Sequence, residues 1–239
     1  MYADAVAKIT ESIFPIFFVQ SDGESCEVGV RGTGFFLDDS GLFLTADHVI
    51  AGAPAGATLY YYGKIPDEVC DPAVEIEHVA SDPAHDLYLG RVRRHFLGGV
   101  ELSDEPVRPG TSVCLGGYPM PVLSIRPDGG VVGSVRRYWQ PTFAIDTTQV
   151  VIGKRTYDGY IVQHSCLVGM SGGPVFDVEG KVRGMAAATI SRTVPDPSGS
   201  LSVVPNGVAV DVEHIQGFLD AAGAPCAHAG TAAAGTSGT

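Results

Sequence analysis

Short apolar runs separated by turn residues dominate this chain. Near the N-terminus, "ADAVAKITESI" carries apolar residues at helical spacing and predicts a short helix. "SIFPIFFV" is too short to cross a membrane, contains Pro15, and predicts a buried strand. "GTGFFLDDSGLFLTADHV" sets two apolar runs on either side of Asp38-Asp39-Ser40-Gly41, a hairpin pattern. Further strands are predicted at "ATLYYYG", "VEIEHVA", "DLYLGRV", "SVCLGGY", "GGVVGSVRRYW", "QVVIG", "GYIVQHS", "PVFDVEGKVRGMAAATI" and "NGVAVDV". Many short strands with turns between them predict an all-β barrel or sandwich. Helical spacing returns in "DVEHIQGFLDAAG", with Asp211 as N-cap and Gly223 as C-terminal stop.

Composition narrows the class. Apolar residues make up 45% of the 239, enough for a sizeable core. The net charge of −12 speaks against a nucleic-acid partner, which would require a basic patch. The five cysteines, Cys26, Cys70, Cys114, Cys166 and Cys226, are odd in number and form no C-x-x-C pair. Neither a disulfide framework nor a zinc site is expected from that spacing. Reduced thiols and an N-terminus unlike a secretory signal lead to the expectation of a cytoplasmic protein without a membrane anchor. "LGGVELSDEPVRPG" reads as a linker. It predicts β halves over residues 1–103 and 104–222, followed by a low-complexity disordered tail over 223–239.

"GMSGGPVF" raises the question of chemistry. A serine hydroxyl is a poor nucleophile until a base takes its proton. The base is usually a histidine oriented by a carboxylate. Glycines flanking Ser171 allow backbone N–H groups to turn toward one point, as an oxyanion requires. Of the seven histidines, His48 ends the apolar run "LFLTADHV", where a strand would give way to a loop. His78 and His164 fall inside strand-like runs, and His95 and His228 in loop or tail. Asp86 in "PAHDLYLGRV" precedes a strand and is the best-placed carboxylate. Taken singly, His48 also reads as a core histidine, Asp86 as a turn residue and "GMSGGP" as a plain turn.

In this order, "GTGFFL…LTADHV", "HDLYLGRV" and "GMSGGPVFDVEGKVRGM" resemble the trypsin-like (chymotrypsin-fold) serine peptidases, in particular the bacterial HtrA-like group. The resemblance covers roughly residues 28 to 215. It implies two antiparallel β-barrels with a cleft between them. It implies His48 as general base, Asp86 as its orienter and Ser171 as nucleophile, with the N–H groups of Gly169 and Ser171 as oxyanion hole. It also implies that "HSCLVG", with Ser165 near the pocket base, and "GMAAATI", with the small Ala186, Ala187 and Ala188, line the specificity pocket. No acid lies there, so a neutral, modest apolar side chain is the expected preference. Met170 stands where digestive members carry an acid that pairs with a newly cut N-terminus, so activation by that route is not expected. No metal or organic cofactor is implied, and a PDZ domain has no room after about residue 222.

Rival readings make different demands. The Gly-x-Ser-x-Gly elbow of α/β-hydrolases requires serine, acid and histidine in that order, with alternating helices and parallel strands. Only His214 and His228 follow Ser171, and the helices are too few. A non-catalytic binding module on the trypsin fold would normally lack a triad member, whereas all three candidates are present. The sequence therefore predicts a serine endopeptidase acting on protein or peptide substrates. It says nothing of the physiological substrate or of oligomeric state.

Overall fold

The computed structural model describes residues 1–21, 26–52, 58–61, 74–93, 98–119, 122–125, 131–134, 136–195 and 201–224. Helix α1 (Ala3–Ile9) leads into β1 (Ile13–Ser21), β2 (Cys26–Phe36) and β3 (Leu42–Ala46), then helix α2 (Asp47–Ala51). Strands β4 (Thr58–Tyr61), β5 (Val74–Glu75), β6 (Glu77–Asp82), β7 (Leu87–Arg91) and β8 (Glu101–Leu102) follow. After them come β9 (Ser112–Gly117), β10 (Val122–Ile125), β11 (Val131–Ser134), β12 (Tyr138–Ile152) and β13 (Arg155–Val162). The chain continues through β14 (Pro174–Phe176), β15 (Lys181–Pro195), β16 (Leu201–Asp211) and helix α3 (Val212–Ala221). The all-β class expected from the sequence is the class observed. The expected tail from 225 onward, and the loop and tail positions of His95 and His228, lie outside the described residues.

Two seven-stranded sheets form the body. The first runs β5-β4-β1-β2-β3-β7-β6 and is antiparallel throughout. The second runs β14-β9-β12-β13-β16-β15-β8, and an extra β14–β15 pairing closes six of its strands into a ring. Within the segment read as a linker, Glu101 and Leu102 add a short parallel edge beside Lys181 and Val182. β10 and β11 form a separate pair.

Over β9 and the inner parts of β15 and β16 the second sheet buries both faces, which explains the unbroken apolar runs there. Successive side chains on a strand point to opposite faces. Val113, Leu115, Ala186 and Ala209 enter one buried cluster with Tyr160 and Met170. Their neighbours Cys114, Met185, Ala187, Val208 and Val210 enter the other, together with the aromatic core of the first sheet. Val212, Ile215 and Leu219 bring one stripe of α3 onto that second cluster. Asp211 caps α3 by accepting from the Glu213 N–H, and Gly223 at φ 65° stands just past its end, both as expected.

The β2–β3 hairpin turns at Asp38, whose Oδ1 accepts from the backbone N–H of Ser40 and Leu42. It delivers β2 to its main task, which is to hold the second half of the chain. Thr33 is fully buried. Its N–H donates to the Ser171 carbonyl at 2.9 Å and its hydroxyl to the Gly169 carbonyl at 2.7 Å. The same hydroxyl accepts from Tyr118 N–H at 3.0 Å, and the Thr33 carbonyl accepts from the Thr45 hydroxyl at 2.7 Å. The contact is close enough to require glycines. A Cβ on Gly32 would lie 2.7 Å from the Ser171 carbonyl oxygen, and one on Gly172 only 2.3 Å from that of Thr33.

Thr33→Val keeps the shape but strands a buried carbonyl and a buried N–H. It should destabilise the protein by about 2–5 kcal/mol, measured by urea unfolding. An unchanged unfolding midpoint would show that these bonds do not join the halves.

Candidate active site

His48 and Asp86 are brought together by two neighbouring strands. β3 pairs with β7 so that Ala46 faces Leu87. The residues just beyond these partners, Asp47 and His48 on one side and Asp86 on the other, therefore meet at one end of the sheet. His48 was expected in a loop; it stands on the single turn of α2 instead. Asp47 N–H donates to the Asp86 carbonyl at 3.1 Å. Asp86 has φ 63°, a left-handed backbone that aspartate tolerates better than most residues. That twist lets one carboxylate take two bonds from one residue: Oδ1 from the His48 N–H at 2.9 Å and Oδ2 from the ring Nδ1 at 2.7 Å.

Asp86 has 0% exposed surface, while the imidazole keeps 31%. A carboxylate only accepts, so the Nδ1 proton sits between the two groups and Nε2 carries the lone pair. A buried anion must be compensated. Tyr157 O–H donates to Asp86 Oδ2 at 3.3 Å, and Arg155 Nε stands 3.2 Å from Oδ1, too poorly aligned for a hydrogen bond but close enough to offset the charge. Burial, then the neighbouring Asp86 charge, push the Tyr157 phenol up, which keeps it a donor. The same two causes, in the same order, raise the Asp47 carboxyl, whose Oδ2 lies 3.8 Å from Arg155. Arg155 and Tyr157 come from the second sheet, and Thr156 N–H donates to the Ala84 carbonyl at 2.8 Å. No spacing in the sequence marks "RTY" for this role.

Ser171 sits in a tight turn bonded almost throughout. The N–H groups of Met170, Gly172 and Gly173 donate to Leu167, Ala186 and Met170. Among the described residues, the N–H groups of Gly169 and Ser171 donate to no protein acceptor. Gly169 at φ 95° and Gly172 at φ 83° permit this alternation. Ser171 Oγ donates to the Ala187 carbonyl at 3.3 Å rather than to His48. Met170 is fully buried in the core cluster of the second sheet.

The segment before the serine is pinned from behind. Asn206 donates to the carbonyls of Val162 and Gln163, and the Thr189 hydroxyl to that of Cys166. Ser165 is half-buried. The side chains of Ala186 and Ala187 are buried in the two core clusters, leaving Ala188 as the half-exposed member of the three. His78 is exposed and stacks against Tyr88, and His164 is exposed at the end of β13.

Tyr157→Phe removes one donor from Asp86 while Arg155 and His48 remain. Its kcat should fall about 3–10-fold with little change in KM. A loss carried by KM alone would place Tyr157 in substrate binding.

Residues 32–185 match the trypsin-like peptidase domain. A probable periplasmic serine endoprotease, DegP-like, from Rhizobium meliloti (strain 1021) is 29% identical over 189 residues. The match covers 76% of this chain but 32% of that protein, so the chain spans about a third of its relative's length. The active form of the Rv3671c protease from M. tuberculosis superimposes with a TM-score of 0.63 at 21% identity, covering 92% of this chain and 85% of that one. Its inactive form gives 0.59 at the same identity, over 92% and 93%.

The expectation of a cytoplasmic location is overturned by the periplasmic relative. The cysteine argument fails for a physical reason. Cys114 is buried, and burial pushes the thiols of Cys114 and Cys166 up to about 12. Thiols held in the unreactive protonated form do not require a reducing compartment. Iodoacetamide at pH 8 should leave both unmodified in the native protein, read by peptide mass spectrometry; labelling at the rate of a free thiol would contradict this. The match over most of the chain, together with the two sheets, leads to one assignment: the chain belongs to the trypsin-like peptidase family.

Proposed function

We propose that this chain hydrolyses peptide bonds through Ser171, His48 and Asp86 by way of an acyl-enzyme. The observation that carries the reading is the 2.7 Å bond from His48 Nδ1 to a fully buried Asp86, which leaves Nε2 as the base. Ser171 Oγ attacks the carbonyl carbon as its proton passes to Nε2. The oxyanion rests on the N–H groups of Gly169 and Ser171, which donate to no protein acceptor among the described residues. The imidazolium, held by Asp86, then protonates the leaving amine as the C–N bond breaks. Water repeats the sequence on the ester and releases Ser171. The substrate class is protein or peptide, and a small neutral side chain before the cut bond suits Ser165 and Ala188.

One observation favours a second reading, a non-catalytic member of the fold: the Ser171 hydroxyl is bonded to Ala187 and not to His48. Chemistry distinguishes the two readings. A fluorophosphonate probe should label the wild type. It should fail on Ser171→Ala and slow by roughly a thousandfold or more on His48→Ala. Labelling that persists in Ser171→Ala removes the assigned nucleophile, and an unlabelled wild type favours the non-catalytic reading.

A further inference from the structure

Next to Asp86, three segments distant in sequence converge on a point outside the triad. His85 comes from the turn before β7, Asp158 from β13 and His214 from α3. Their ligand atoms all lie within 4.8 Å of one another. His85 Nε2 is 3.8 Å and His214 Nε2 3.7 Å from Asp158 Oδ2, and the two rings are 4.6 Å apart.

These separations are too long for hydrogen bonds, whose N···O distances run about 2.7–3.2 Å. They are near the separation of donors around a tetrahedral zinc ion, about 3.3 Å for bonds of roughly 2.0–2.1 Å. The surrounding bonds prepare two of the three donors. Asp82 Oδ2 accepts a hydrogen bond from His85 Nδ1–H at 2.6 Å, which turns the Nε2 lone pair toward Asp158. Gln149 Nε2 donates to Asp158 Oδ1 at 2.6 Å, so Oδ2 is the oxygen left to face the two imidazoles. Two imidazole nitrogens and one carboxylate oxygen, each with an outer partner or an adjacent ring, thus form an electron-rich triangle. Side-chain exposures of 31%, 32% and 35% leave it open to an ion from solvent.

We propose that His85, Asp158 and His214 form a binding site for a divalent transition ion of the zinc type, with water in the fourth position. Two nitrogens and one oxygen suit zinc better than calcium or magnesium, which prefer all-oxygen shells. The ion clasps the turn that carries Asp86 to β13 and to α3. No electron moves on binding, and the imidazoles bind as neutral ligands. The site does not depend on the peptidase reading, because its test reads metal binding.

After chelator treatment, titration of the full chain with zinc chloride alone should show one high-affinity equivalent. Zinc at about a hundredfold over its Kd should raise Tm by about 5–10 °C. Asp158→Asn and His214→Ala should each lose that equivalent and its Tm shift. A wild type with no zinc equivalent, or a Tm shift that persists in both variants, overturns the site. Should either variant fail to fold, anomalous scattering at the zinc edge from wild-type crystals decides. A peak bonded to all three atoms supports the clasp, and a peak elsewhere refutes it.

Discussion

One buried threonine ties the first sheet to the loop that carries Ser171. Thr33 uses its N–H, its carbonyl and its hydroxyl to bond four partners, two of them carbonyls of the loop that presents Ser171. The loop that carries Ser171 belongs to the second sheet by sequence, yet its backbone is bonded to a strand of the first. Gly32 and Gly172 make that approach possible, since a methyl group on either would collide with backbone across the contact. Buried carbonyls left without donors would cost too much for the halves to drift apart.

The second sheet contributes in return. Its hairpin between β12 and β13 carries Arg155 and Tyr157 to Asp86, a residue of the first half. Asp86, bonded to His48, is thus compensated by charge and hydrogen bonding from the second sheet. Each half holds one component of the other's site. The geometry at His48 accordingly depends on the docking of the halves, and damage to the interface reaches the chemistry without touching a reacting atom.

The same logic extends around the back of Asp86. Its neighbour His85 faces outward, toward Asp158 and His214, while Asp86 faces inward to His48. Two adjacent residues on one turn therefore face different partners. The left-handed backbone at Asp86 lies between them, and whatever holds His85 also holds that turn.

Much of this was legible along the chain. The first hairpin announced itself by Asp38 to Gly41, and the helix cap by Asp211, because turns and caps are local. His48, Asp86 and Ser171 stood out as candidates by their order in a family pattern, since each taken singly also read as an ordinary core or turn residue. The cysteine count misled, since reactivity is set by burial rather than by number. Thr33, Arg155, Tyr157 and the His85–Asp158–His214 triangle left no mark in the sequence. Each acts on a partner tens of residues or more away, and no local preference for helix, strand or turn depends on such a contact. The sequence by itself determined the strands, the turns and the chemical groups available; the tertiary structure decided which of those groups meet, because only packing one sheet against the other sets their distances.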